Sequence, residues 1–323
     1  MSTKSIPRAQ SSRSTRRVSP ETRPVALAEI LEQARTKGLA ASGKGEVSSQ
    51  IPGLDAVPPE RFGFSVALID GTTVSTGDAT VPFSLQSITK LFSLAALLQL
   101  QPDVWPDIGW EPTEASFRSL AELEHRDGRP RNPFVNAGAI VVADKLRTLT
   151  GSGFLPTLQM IREQSGNARI GSVSKVARAE FGNSHINMAI AHMLADSGSI
   201  DNPIVPVLKD YFQQCAIAAS TEDVARATLF LARRNADHPV LSFENRRRVN
   251  AVLLTAGMYN AAGDIAYRVG LPVKSGIGGG IVGVLPGVGA VCLWSPPLDR
   301  HGNSAGGIAA LEEFSRLAGW SLF

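Results

Sequence analysis

The sequence predicts an α/β (α+β) protein: one five-stranded antiparallel sheet, flanked by an N-terminal and a C-terminal helix, with an all-α subdomain inserted. Three observations predict it. Strand-like segments fall in two clusters, one before residue 86 and one after 264. The chain between the clusters reads as helices joined by loops. A helical segment stands at either end, so the strands can share one sheet only if the helical block is an insertion and the terminal helices pack on one sheet face.

The elements follow in order. "VALAEILEQARTKG" (25–38) has helical apolar spacing and is expected to end at Gly38. "FGFSVALID" and "TTVSTGDA" flank Asp70-Gly71, a hairpin signal. "FSLQSITK" (83–90) then runs into "LFSLAALLQL", apolar almost all round, which predicts a buried central helix with Ser87 in its first turn. From about 101 to 260, "NAGAIVVADKLRTL", "FLPTLQMIREQSG", "SHINMAIAHMLADSG", "PVLKDYFQQCAIA", "TEDVARATLFLARR" and "ENRRRVNAVLLTAGMY" all read as helices. Thr221-Glu222-Asp223 is a helix start. After 264, "IAYRVGLPVKSG", "GGGIVGVLPG" and "GAVCLWSP" read as strands broken by Gly and Pro, and "SAGGIAALEEFSRLAG" closes the chain as a helix. The expected organisation is a tail (1–24), an α/β part (25–86 and 264–323) and a helical part (87–263).

Of 323 residues, 43% are hydrophobic and 19% charged, which suits a globular chain with ample core material. No run of eighteen apolar residues occurs, so no membrane helix is expected. The N-terminus lacks the apolar core of a signal peptide, and Arg16-Arg17 has no apolar run behind it. The two cysteines, Cys215 and Cys292, sit in apolar surroundings and are expected to be buried free thiols in a reducing, cytoplasmic setting. The pI near 9.0 would suit a nucleic-acid partner. Residues 1–24 alone carry six basic residues and one acidic, a charge of +5, and the remainder is −2. The basicity belongs to a Ser-, Arg- and Pro-rich tail expected to be disordered. No nucleic acid or membrane partner is expected. The five histidines (125, 185, 192, 238, 301) show no metal-ligand spacing, so no metal is expected.

Ser87 and Lys90 are three residues apart, which on a helix puts their Cβ atoms roughly 5 to 6 Å apart. A serine is a poor nucleophile until a base takes its proton. A lysine, with a reference pKa of about 10.4, serves as that base only where its surroundings favour the neutral amine. The spacing alone is cheap, since it recurs at Ser172 and Lys175 and is usually a polar helix face. Context separates the two: Ser87 follows a strand pair and opens the most apolar helix. A second signal is Lys274-Ser275-Gly276, which in serine acyl-transfer enzymes of this layout borders the cleft opposite the nucleophile.

Taken together, "FSLQSITK", "PRNPFVNAGAI", "EFGNSHINMAIA", "DYFQQCA", "TAGMY", "GLPVKSGIGGGI" and "WSPPLDRHGNSAGG" make the chain resemble the bacterial serine-dependent glutaminases, whose fold is β-lactamase-like. The resemblance runs from about residue 25 to the C-terminus. It implies an L-glutamine amidohydrolase that forms L-glutamate and ammonia through an acyl-enzyme, with no cofactor. It implies Ser87 as nucleophile and Lys90 as its partner, with Lys90 or Tyr259 moving the proton. Asn136, Glu180, Asn187, Tyr211 and Tyr259 match substrate-binding positions, and the backbone N–H of Ile277 matches the second donor of an oxyanion hole. A homo-oligomer, often a tetramer, is also implied. Glutamine carries an α-ammonium that Glu180 can pair and a carboxylate and amide that Asn and Tyr can bond. The chain departs from the family pattern at Glu114, Arg118 and Ala179. Two other readings stand beside this one: another serine acyl-transfer hydrolase of the same fold, against which the missing export signal counts, and a non-catalytic glutamine-binding protein, against which the intact Ser87/Lys90 pair counts.

Overall fold

The computed structural model describes residues 23–235 and 238–323. The basic tail, except its last two residues, lies outside them. The main sheet has the order β2-β1-β5-β4-β3, every neighbouring pair antiparallel. Its strands are β1 (Gly63–Leu68), β2 (Thr73–Gly77), β3 (Val273–Gly276), β4 (Gly280–Leu285) and β5 (Gly289–Trp294). The Asp70-Gly71 turn joins β1 to β2, with Gly71 at φ +93° and the Asp70 carboxylate accepting from the Thr72 N–H at 2.9 Å.

Strand alternation assigns the two faces. Phe64, Val66, Ile281, Val291 and Leu293 point one way, onto α1 (Arg23–Ser42) and the C-terminal helix Ala305–Ala318. Ala67, Val282, Val284, Cys292 and Trp294 point the other way, into the larger core. Helix Thr221–Ala232, which the sequence places in the helical block, packs on that second face and is tied there by Ser65 Oγ and Thr221 Oγ1 at 2.7 Å. Ser220 caps it, one residue earlier than expected, in a reciprocal box with Asp223.

Three expectations need correction. Helix α1 does not end at Gly38 but runs on to Ser42. A Cβ at Gly38 would meet the Phe62 ring at 2.6 Å and Gly306 O at 2.8 Å, so this glycine answers a close helix contact and is no stop signal. The first four residues of "IAYRVGLPVKSG" belong to a helix, Ala262–Arg268, that buries Ala262 and Ile265 three apart and leaves Tyr267 90% exposed. A small antiparallel sheet also forms, in which Phe83–Ser84 pairs with Ile217–Ala219 of the helical block and that strand with Gly171–Ser172. Strands of two or three residues are too short for alternation to reveal.

The central helix α2 (Thr89–Leu100) buries every residue from Thr89 to Leu98. Leu91, Leu94, Leu97 and Leu98 each contribute about 1.5–3 kcal/mol by that burial. No helix among the described residues is long and apolar enough to cross a membrane.

Candidate active site

The serine is held by a strained turn. Strand Phe83–Ser84 is pinned to Ile217–Ala219, and the Leu85 N–H donates to Ile217 O at 2.9 Å. The chain then reverses at Gln86, φ +49°, and makes a 3₁₀ turn, Gln86–Ile88, before α2 begins. Ser87 thus sits in the turn ahead of the α-helix, not in the helix's first turn. A non-glycine residue in the left-handed region costs of order 1–3 kcal/mol and persists only where its surroundings fix it. Gln86 is buried, and its Nε2 donates to Ser84 Oγ at 3.1 Å. Tyr259 is a second such residue, at φ +55°. It follows helix α3 (Phe243–Ala256), and Gly257 between them presses on Val273 so closely that no side chain fits.

Across the cleft lies β3. A Cβ at Gly276 would stand 2.5 Å from Leu85 O and 3.3 Å from Ser87 N. The glycine therefore lets the Gly276–Ile277 peptide run alongside the Ser87 N–H, where two backbone donors can converge on one oxygen. Ile277 itself is half-buried and packs its side chain against the small cluster around Ile51, Leu54 and Val176, so only its peptide is available to the cleft. Alternation sends Lys274 toward Tyr259, with Nζ 4.2 Å from the ring centroid. It turns Ser275 to the terminal-helix side, where its buried Oγ has no partner.

A chain of hydrogen bonds spans the floor. Lys90 Nζ donates to Phe134 O at 3.1 Å and to Asn136 Oδ1 at 2.7 Å, and Asn136 Nδ2 donates to Asn187 Oδ1 at 2.8 Å. The Lys90 amine is directed to these oxygens and not to Ser87. Burial pushes Lys90 down to about 8, with Glu180 opposing. Cys215 would oppose it only as a thiolate, and burial holds that thiol protonated. Lys274, also fully buried, is pushed well down by burial and then by Lys90. Burial raises Tyr259, and the nearby Ser87 hydroxyl draws it partly back, though the two fall short of a well-formed hydrogen bond. Glu180 is half-buried as a residue, but its Oε2 is buried with no partner. Burial lifts it to about 8 against the pull of Gln86 and Lys90. Tyr211 is raised by burial and then by Cys215, Glu180 and Tyr259, which places it in the same electrostatic neighbourhood.

The structure thus gathers Ser87, Lys90, Asn136, Asn187, Tyr259, Lys274 and Gly276 around one cleft, with Glu180 and Tyr211 coupled to it. The competing pair separates. Ser172 lies in a strand and donates to Gln213 O at 2.9 Å, while exposed Lys175 belongs to the helix that follows, Ser174–Gly182. Sequence reasoning did not find Gln86, Phe117 or the place of Cys215 beside Tyr211 and Lys90. The Phe117 ring lies 4.6 Å from that of Tyr259, tilted by 33°, and its carbonyl accepts from the Asn136 N–H, so the loop that carries Glu114 and Arg118 reaches the cleft through it. Cys215 lies one helical turn from Tyr211, a spacing that could have flagged it. No letter in the sequence announces the φ of Gln86. Among the described residues no group of three or more His, Cys, Asp or Glu is placed to hold a metal.

A serine on a strained sheet-to-helix turn, a buried lysine one turn on and a Lys-Ser-Gly strand opposite match the class of serine acyl-transfer hydrolases. The glutaminase family model matches residues 45–323. A Streptomyces coelicolor glutaminase is 46% identical over 304 residues, covering 93% of this chain and 99% of that one. A Bacillus subtilis glutaminase, YbgJ, solved as a covalent complex with 5-oxo-L-norleucine, superposes with a TM-score of 0.80 at 29% identity, covering 93% and 100%. A structure of Mglu in its glutamate form gives 0.82 at 31%, covering 94% and 69%. The chain belongs to the glutaminase family and has its β-lactamase-like fold. It is accordingly a hydrolase acting on the amide of glutamine.

Proposed function

We propose that the chain converts L-glutamine and water to L-glutamate and ammonia through an acyl-enzyme on Ser87. The observation that carries the mechanism is the bonding of Lys90. A neutral amine has two N–H groups and one lone pair, and Phe134 O and Asn136 Oδ1 engage two donors. With its pKa at about 8, a usable fraction of Lys90 is neutral at physiological pH, its lone pair unspent. Lys90 takes the Ser87 proton as Oγ attacks the amide carbon. The negative oxygen lies between the N–H groups of Ser87 and Ile277. Tyr259, kept protonated by burial, gives its proton to the departing nitrogen and recovers one from the Lys90 ammonium. Water then attacks the ester by the reverse proton route, which frees Ser87 and glutamate.

The remaining residues read the amino-acid end. The unpartnered Glu180 Oε2 suits the α-ammonium, and ion pairing there returns Glu180 to the carboxylate. Asn136, Asn187 and Tyr211 supply amide and hydroxyl groups for the α-carboxylate and side-chain amide. The covalent complex of the Bacillus enzyme, in which the adduct keeps its 5-oxo group and so is joined through the former diazo carbon after loss of N2, supports a nucleophile standing beside a glutamine-like carbonyl. By the same resemblance we place the protein in the cytoplasm as a homo-oligomer, a tetramer in the family's usual form.

Ammonia release from L-glutamine tests the reading, measured beside nitrocefin hydrolysis and glutamine binding. Ser87→Ala is expected to lose several orders of magnitude in rate while staying folded. Ser172→Ala is expected to keep full rate. A Ser87→Ala protein with a tenth of the wild-type rate would rule out the assignment.

A further inference from the structure

A cavity of about 350 Å³, whose lining includes none of the residues gathered around Ser87, lies between two segments that both lead to Tyr259. One wall is Trp105, Pro106 and Trp110; the other is Arg247, Arg248 and Val252 of helix α3. The volume lies in the range of small-ligand sites. Its floor is fixed: Trp105 is 4% exposed, its Nε1 donates to Asn245 Oδ1 at 3.1 Å, and Asn245 Nδ2 donates to Pro102 O at 3.0 Å. Its rim is open. Trp110 is 56% exposed, and the exposed Arg247 makes no ion pair among the described residues. Arg248 is held by Glu244 at 2.6 Å. Asp103 is the one carboxylate in the lining, and with Arg248 already paired to Glu244 the guanidinium left for a ligand is that of Arg247.

An indole face beside a free guanidinium selects for a flat ring and an anionic group together. The ring stacks on the indole, and the guanidinium donates to the anion through paired N–H groups. We propose that this cavity is a regulatory site for a small organic anion bearing a flat aromatic ring, and that its occupancy acts on Tyr259. A nucleoside monophosphate and an aromatic carboxylate share that chemistry. Asp103 is positioned to discriminate between them, by accepting from a sugar hydroxyl or repelling a second anionic group.

The route to Tyr259 is covalent on both sides. From Trp110 the chain passes to Glu111, whose N–H is fixed to Arg131 O at 2.9 Å, and reaches Phe117, whose ring lies 4.6 Å from that of Tyr259. From Arg247 the helix runs to Ala256, then through the tightly packed Gly257 to Tyr259 itself. The two walls therefore meet again at the Phe117–Tyr259 contact. A ligand that draws Trp110 toward Arg247 changes the spacing of the segments that clamp a strained residue, and a strained residue shifts its population on small changes of support.

The kinetic half of this proposal rests on the place given to Tyr259 in the reaction; the binding half does not. The test uses the full chain, isothermal titration and tryptophan fluorescence, with adenosine 5′-monophosphate and indole-3-acetate as ring-bearing anions. Adenosine serves as ring alone and inorganic phosphate as charge alone. At least one ring-bearing anion is expected to bind with a Kd below about 1 mM. Adenosine and phosphate, and the variants Trp110→Ala and Arg247→Gln with the anion, are expected to be about tenfold weaker or more. Saturating anion should change kcat or KM for glutamine by about twofold or more in wild type and not in the variants, whose rates without it match wild type. Which of the two anions binds more tightly assigns the source. Failure of both anions to bind at about 10 mM, unchanged affinity in both variants, or competition by L-glutamate overturns the site. Binding without any kinetic change overturns its regulatory role alone.

Discussion

Gly276→Ala is the substitution whose consequence the geometry specifies most closely. The added Cβ would sit 2.5 Å from Leu85 O, 3.3 Å from Ser87 N and 3.4 Å from Ile88 N. All three are backbone atoms, so no side-chain rotation can relieve the contact. Ordinary carbon–oxygen packing needs roughly 1 Å more than the first distance allows, given optimal separations of about 3.5 Å or above. Either β3 or the Leu85–Ile88 turn must move by that amount. Overpacking of this kind costs about 1–3 kcal/mol of stability. The catalytic cost is expected to be larger, because the turn carries the proposed nucleophile and the peptide that moves carries the Ile277 N–H proposed for the oxyanion. Misplacement by about 1 Å costs on the order of a hundredfold in rate. The assay is kcat/KM for ammonia release with thermal unfolding measured alongside. Gly263→Ala is the control, since nothing lies within 4 Å of a Cβ there, and it should unfold at the same temperature or slightly higher. If Gly276→Ala kept kcat/KM within about twofold of wild type, the close apposition of β3 and the Ser87 turn would not be what aligns the site.

Other outcomes follow from the same geometry. Glu180→Gln should lower kcat/KM for glutamine by about ten- to a hundredfold and narrow the preference over N-acetylglutamine, which lacks the α-ammonium, because a charge-assisted bond is lost; a variant as selective as wild type would remove Glu180 from that role. If Lys90 is the base, kcat/KM should climb about tenfold per pH unit below 8 and level above it, since the neutral amine is the working form. Its folded pKa lies below its unfolded one, so wild type should gain stability relative to Lys90→Met as pH rises from about 8 to 10.4. The opposite slope in unfolding experiments would show that Lys90 stays charged. Gly38→Ala should lower stability by about 1–3 kcal/mol through contact with Phe62 and Gly306, yet leave kcat unchanged once folded, because it lies in the terminal-helix layer.

The order of strands and helices was legible because long elements carry strong periodicity. Helix α2 announces itself by ten consecutive buried positions, and the Asp70-Gly71 hairpin by its turn residues. Punctuation by glycine was legible only in part. Gly38 is a packing residue inside a helix, and a sequence does not distinguish a glycine that ends a helix from one that admits a neighbour. Residues 265–268 looked like the start of a strand because Ile265 and Tyr267, followed by Val269, are strand-rich letters, while burial over Ala262–Arg268 follows a helical period. At the site, residue types were readable and backbone strain was not. Ser87 and Lys90 are named by spacing and context, but the left-handed turn at Gln86 and the matching one at Tyr259 arise from tertiary contacts that no local pattern encodes. The Lys274-Ser275-Gly276 triplet reads as one motif, yet strand alternation divides it: the lysine and the glycine serve the cleft and Ser275 faces the opposite layer.

The proposed reaction requires Ser87 Oγ to be the nucleophile that stands beside the glutamine side-chain carbonyl. The direct measurement is intact-protein mass spectrometry after treatment with 6-diazo-5-oxo-L-norleucine, the reagent that gave the covalent complex of the Bacillus enzyme, followed by peptide mapping. One adduct per chain is predicted, on the peptide containing Ser87, with excess L-glutamate slowing its formation and Ser87→Ala abolishing it. An adduct that persists in Ser87→Ala, or that maps to Ser172, Cys215 or Tyr259 in the wild-type protein, would contradict the assignment of Ser87 as nucleophile.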